Sequence, residues 1–81
     1  MFYVYILKST RNGKLYKGFT GDLRRRIKEH ESGNSRYTSY NGPWKLIYYE
    51  AFLDEKDAKR EEKFLKSGKG RERIKFLLLS Q

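Results

Sequence analysis

Five side chains in this sequence form a set suited to phosphoryl chemistry: Tyr5, Tyr16, Arg26, His30 and Glu62. Hydrolysing a phosphodiester needs an activated water, neutralised charge on the phosphoryl oxygens and a stabilised leaving oxygen. Arginine offers a fixed fork for phosphate. A single inward glutamate can hold one hard cation that keeps most of its waters. A tyrosine hydroxyl has a reference pKa near 10, so acting as a base at pH 7 costs about 4 kcal/mol unless a cation offsets it. His30 is the alternative proton relay. Taken singly, each has a plainer reading: the tyrosines as sheet aromatics, Arg26 as a snorkelling side chain, His30 as a satisfied core histidine and Glu62 as the i,i+4 partner of Lys66. Their convergence from separate elements is what points to a site.

The elements that must position them can be read in order. Phe2 to Leu7 is apolar on both alternation sets, the mark of a central strand covered on both faces. Asn12-Gly13 signals a hairpin, and Leu15 to Thr20 is the returning strand. A two-residue Asn-Gly loop sets Tyr16 opposite Ser9. A longer loop, Thr10 to Gly13, sets Tyr5 opposite Gly18 and Leu7 opposite Tyr16. Both registers keep Tyr5, Tyr16 and Gly18 on one face, because a two-residue slip leaves faces unchanged. Only the longer loop brings the two hydroxyls within roughly 7 Å along the strands, with Gly18 leaving a gap beside Tyr5 for a phosphate.

A helix follows from Asp22, a good N-cap, to about Glu31. Leu23, Ile27 and His30 form its inward stripe. Arg26 flanks that stripe, while Arg24 and Arg25 belong to the general basic surface. Residues 32–43 read as a polar loop whose Arg36, Tyr37 and Tyr40 are placed to grip nucleic acid or to pack on the domain edge. Trp44 to Phe52 is a third strand. A second helix begins at Asp54, with Asp57 as a shortened capping-box partner and Glu62 in its stripe beside Ala58 and Leu65. Gly68-Lys69-Gly70 breaks that helix, and a last one turns Ile74, Leu77 and Leu78 inward.

The chain has 81 residues, no Cys, one His and a net charge of +9. That length suits a single domain over 1–81. The composition argues against a disulfide framework or a zinc site. The charge favours polyanionic partners. No stretch has the length of a membrane span and the N-terminus does not read as a leader, so the expected setting is cytoplasmic, away from membranes.

The ordered set Tyr3-Val4-Tyr5, Tyr16-Lys17-Gly18, Arg26 and Glu62 resembles the GIY-YIG nuclease superfamily. The likeness is to short stand-alone bacterial members related to the nuclease domain of the excision-repair endonuclease subunit. It covers nearly the whole chain, including Thr20-Gly21-Asp22-Leu23, Pro43-Trp44 and Ala58 through Lys66. The resemblance implies an α+β fold, a three-stranded antiparallel sheet flanked by about three helices. It also implies a metal-dependent endonuclease that hydrolyses DNA, with repair or recombination as the setting. It puts Tyr5 and Tyr16 at the attacking water, Arg26 on the scissile phosphate and Glu62 on Mg²⁺ or Mn²⁺. Gly18 matches the motif glycine, and His30 a helix histidine of some members. Lys17, Gly18, Arg24, Arg25, Arg36 and Tyr37 are the candidates for contacting nucleic acid.

The pattern departs from the family at Tyr3, Val4 and Lys17. No Asn follows Asn41, so the late active-site asparagine of several members has no counterpart. A non-catalytic nucleic-acid-binding module and a nuclease subunit that needs a partner are the competing readings. The oligomeric state is open.

Overall fold

The computed structural model describes residues 1–32 and 41–79. Three strands and three helices follow in the order β1 (Phe2–Ser9), β2 (Leu15–Thr20), α1 (Leu23–Glu31), β3 (Trp44–Phe52), α2 (Glu55–Leu65) and α3 (Gly68–Leu77). The sheet is antiparallel in the order β2-β1-β3. The fold is therefore α+β, as expected. Arg36, Tyr37 and Tyr40 lie outside the described residues.

β1 is central because both of its faces are apolar. Val4 and Ile6 face one way, joining Ala58 and Leu65 of α2 and Ile74 of α3. Tyr5 and Leu7 face the other way, joining Trp44 and, on α1, Leu23 and Ile27. All four strand residues are at most 1% exposed, each burial contributing on the order of 1.5–3 kcal/mol.

The hairpin takes the longer loop: Tyr5 lies opposite Gly18 and Leu7 opposite Tyr16. A two-residue type I′ turn needs positive φ at both central residues. Only Gly13 has it, at 76°, and among the described residues no non-glycine does. Ser9 holds the loop instead. Its buried hydroxyl accepts from the backbone N–H groups of Arg11 and Asn12 and donates to the Asn41 carbonyl at 2.6 Å. The Pro43 carbonyl accepts from the Thr10 N–H at 2.9 Å, tying the loop to the start of β3.

In β3 the register shifts between Ile6 and Leu7, which pair with Tyr48 and Leu46 and leave Ile47 as the extra residue. Such a bulge reverses which residues face which side. Trp44 and Leu46 thereby join the face of Tyr5, while Tyr48, Glu50 and Phe52 turn toward α2 and α3.

Asp22 caps α1 by accepting from the Arg25 N–H, and Asp54 caps α2 by accepting from the Lys56 N–H. The Asp57 carboxylate bonds Arg60 at 3.3 Å instead of completing a capping box. Gly68-Lys69-Gly70 does not merely stop α2. It forms the first turn of α3, capped by the Ser67 hydroxyl. A Cβ on Gly70 would overlap the Phe64 carbonyl and the Leu65 Cα, so the glycine lets the two helices meet closely.

Candidate active site

The α1 helix lies on the Tyr5 face with Leu23 and Ile27 directed down into the core. A 3.6-residue period then puts Arg26 and His30 on the flank that overlooks β2. His30 is 3% exposed. Its Nε2 lies 2.9 Å from the Tyr5 Oη. Tyr16, two residues before Gly18 on β2, completes the group: its ring is 5.0 Å from that of His30 and 6.3 Å from that of Tyr5. Arg26 lies beside both tyrosine hydroxyls, close enough to interact with them electrostatically, and pairs with Glu29 at 3.2 Å. The structure thus gathers Tyr5, Tyr16, Arg26 and His30.

Burial pulls the Arg26 guanidinium down, but the Tyr5 hydroxyl and the Glu29 carboxylate beside it outweigh that and hold it well above its ordinary range. The Tyr5 hydroxyl and His30 Nε2 share a hydrogen bond, with Nε2 the acceptor when the ring proton sits on Nδ1. Burial, reinforced by the nearby Arg26 charge, lowers the His30 pKa. The imidazole is accordingly neutral at pH 7 and able to take a proton. Burial pushes Tyr5 the other way, up to about 12. Ionising it at pH 7 would cost about 7 kcal/mol, more than its reference value implies. Tyr5 therefore stays neutral, with the His30 imidazole 2.9 Å behind its hydroxyl.

Gly18 does not leave an open gap. A Cβ there would overlap the Oη and Cζ of Tyr5, so the glycine's empty side is filled by the Tyr5 phenol. Its function is to let that ring lie flat across β2. Lys17 points to the opposite face of the sheet, where burial and the charges of Arg71 and Lys66 lower its pKa. It does not join the tyrosines. Arg24 and Arg25 are exposed on α1.

Glu62 approaches from α2, with a side chain 25% exposed and one oxygen 3.1 Å from Lys66 Nζ. The plainer pairing anticipated for it is present. Its charge nevertheless reaches the Tyr5 hydroxyl, tending to raise that pKa. Among the described residues no group of three or more His, Cys, Asp or Glu side chains is placed to hold a metal. A lone carboxylate fits a hard divalent cation whose remaining ligands are water and substrate oxygens.

A second polar cluster was not anticipated. Arg73 of α3 bonds Glu61 of α2 and Glu50 of β3. Burial, then the adjacent Glu61, raises the Glu50 carboxyl to about 7. Its Oε1 is buried with no hydrogen-bond partner. The available signal was a charged residue alternating with Tyr48 and Phe52 on a strand otherwise facing the core.

The fold is thus a strand–hairpin–helix unit carrying two tyrosines, an arginine and a histidine, with a glutamate on a later helix. The GIY-YIG catalytic domain model matches residues 1–75, and the chain belongs to the GIY-YIG family. Its relatives are more particular. A UPF0213 protein of Clostridium perfringens is 43% identical over 67 residues, covering 82% of this chain and 71% of the relative. Another, from Oceanobacillus iheyensis, is 36% identical over 76 residues, covering 93% and 87%. The solution NMR structure of a UPF0213 protein from Bacillus halodurans superposes with a TM-score of 0.59 at 40% identity, covering 95% of this chain and 85% of that one. Among the described residues no helix is long and apolar enough to cross a membrane.

Proposed function

We propose that residues 1–81 form one divalent-metal-dependent endonuclease domain that hydrolyses DNA phosphodiesters in the cytoplasm, in repair or recombination. The observation that carries this reading is the buried Tyr5–His30 bond of 2.9 Å, with Arg26 beside the same hydroxyl. Tyr5 and Tyr16 orient the attacking water. As its oxygen attacks phosphorus, the water gives a proton to the Tyr5 oxygen, and Tyr5 passes its own proton to His30 Nε2. The P–O bond to the leaving oxygen breaks, and that oxygen is protonated from solvent. Arg26 neutralises charge on the non-bridging oxygens, which strengthens in the transition state. Glu62 would hold the cation, Mg²⁺ or Mn²⁺, which when bound neutralises developing negative charge. Arg24 and Arg25 steer the backbone.

Supercoiled and branched DNA incubated with and without Mg²⁺ tests the assignment. Cleavage should require the metal and should fall at least about 100-fold in Glu62→Ala. Cleavage that persists unchanged in Glu62→Ala and Tyr5→Phe would remove the site assignment. Two ion pairs favour a second reading: Arg26–Glu29 and Glu62–Lys66 already occupy both candidate charges. In that reading the same surface binds nucleic acid without turnover, and it predicts salt-sensitive binding with no products under any divalent metal.

A further inference from the structure

The α1 helix has two flanks. One holds Arg26 and His30 against the tyrosines. The other, one side-chain row around, borders a groove of about 590 Å³ between the helix and the β3 side of the sheet. Tyr3 and Tyr49 form its sheet wall, Leu46 and Ile27 its base, and Arg24 and Lys28 its helix rim. Tyr49 is 54% exposed. It meets Tyr3 edge to face, with ring centroids 6.2 Å apart. That leaves an aromatic surface in water on a small domain whose other sheet face is covered by two helices.

The charge on the rim identifies the occupant. Glu55–Lys59, Asp57–Arg60, Glu62–Lys66 and Glu72–Lys75 pair carboxylates with cations on α2 and α3. Arg24, Arg25 and Lys28 on α1 make no ion pair among the described residues, although the Glu31 carboxylate also lines the groove. Asp22, at the groove's end, has its carboxylate engaged in capping the helix. An apolar aromatic wall beneath three exposed cations, against one rim carboxylate, fits a strand that presents a base to the wall and a phosphate to the rim. A base within a duplex has both faces stacked and cannot reach the wall.

We propose that the Tyr3–Tyr49 groove stacks an unpaired DNA base, so that the favoured substrate carries a single-stranded segment beside the scissile bond. This rests on the nuclease reading for the identity of the strand. The two flanks are separated by the helix itself, about 10 Å across, so the stacked base lies close to, but not at, the scissile bond.

The test is binding of a fluorescein-labelled oligothymidine strand and of a blunt duplex of equal length, without divalent metal. Tyr49→Ala should weaken single-strand binding roughly five- to hundred-fold, the range for losing one aromatic–base stack, and leave duplex binding unchanged. Retained duplex binding also reports a folded variant. Tyr49→Trp should restore the lost affinity. Equal loss on both probes, no loss on the single strand, or failure of Tyr49→Trp to restore binding would overturn the groove. Selective loss in a protein that cuts no DNA under any metal would keep the groove and defeat the nuclease reading. Metal-dependent cutting with single-strand binding indifferent to Tyr49 would do the reverse.

Discussion

Tyr5→Phe isolates the proton path, because it removes one oxygen and leaves the packing intact. The ring is 1% exposed and remains wedged over Gly18. What disappears is the 2.9 Å bond to His30 and the contact with Arg26. Removing a buried hydrogen-bond partner costs about 1–3 kcal/mol. At about 4–8 °C per kcal/mol for a domain of this size, the midpoint of thermal unfolding should fall by several degrees. The chemical step loses its general-base route, a loss of about 10²–10⁴-fold in kcat. Single-turnover cleavage with saturating enzyme separates this from any change in binding, which should be small. Tyr5→Phe combined with His30→Gln supplies the sharper test. If the two form one relay, the double variant is no slower than the worse single variant. Full multiplication of the two losses, or a Tyr5→Phe enzyme with unchanged single-turnover rate, would refute the relay.

Gly18→Ala should be harsher than Tyr5→Phe in both stability and rate, because the added methyl displaces the whole phenol; equal midpoints in a thermal melt would show that the ring has room to move. The acid limb of the pH–rate profile should have its midpoint below 6.5, since burial and Arg26 lower the His30 pKa. His30 must be neutral to accept a proton, so activity falls as pH drops through that value, and a midpoint above 6.5 would contradict it. Glu50 behaves oppositely in stability. Its folded value of about 7 lies above the ordinary 4.5 of a free carboxyl, so the stabilising protonation is fully present below the unfolded value and lost as pH rises through about 7. Glu50→Gln leaves one carboxylate for one guanidinium and should raise stability at pH 8 by about 1–3 kcal/mol, read by urea unfolding; a less stable variant at that pH would overturn the assignment.

Much of this architecture is legible in the sequence because it depends on local chemistry. The double apolar alternation of Phe2 to Leu7 identifies a central strand, and Asp22 marks the start of α1. The helical period then selects Arg26 and His30 from a run of like residues. The hairpin was less transparent: Asn12-Gly13 favours a tight turn, and the Ser9 hydroxyl decides otherwise through bonds that depend on Asn41, distant in sequence. Gly18 was legible as a position requiring glycine but not as the seat of the Tyr5 ring. The Glu50–Glu61–Arg73 cluster was missed because three elements contribute to it and no short spacing records it. The bulge at Ile47 compounds the difficulty, since it reverses the faces of β3 partway along.

The placement of β1 also orders events during synthesis. It is made before the domain's other elements, yet both its edges and both its faces need cover. β2 arrives promptly and can pair through the hairpin. The partner for the other edge, β3, and the α2 and α3 layer over Val4 and Ile6 are made only in the second half of the chain. Until then the nascent protein presents an apolar ribbon with one open edge, the kind of surface that chaperones hold and that pairs with other chains. Completion of this domain is therefore a late, concerted event, and a stalled or truncated chain ending before Trp44 would expose its most aggregation-prone segment.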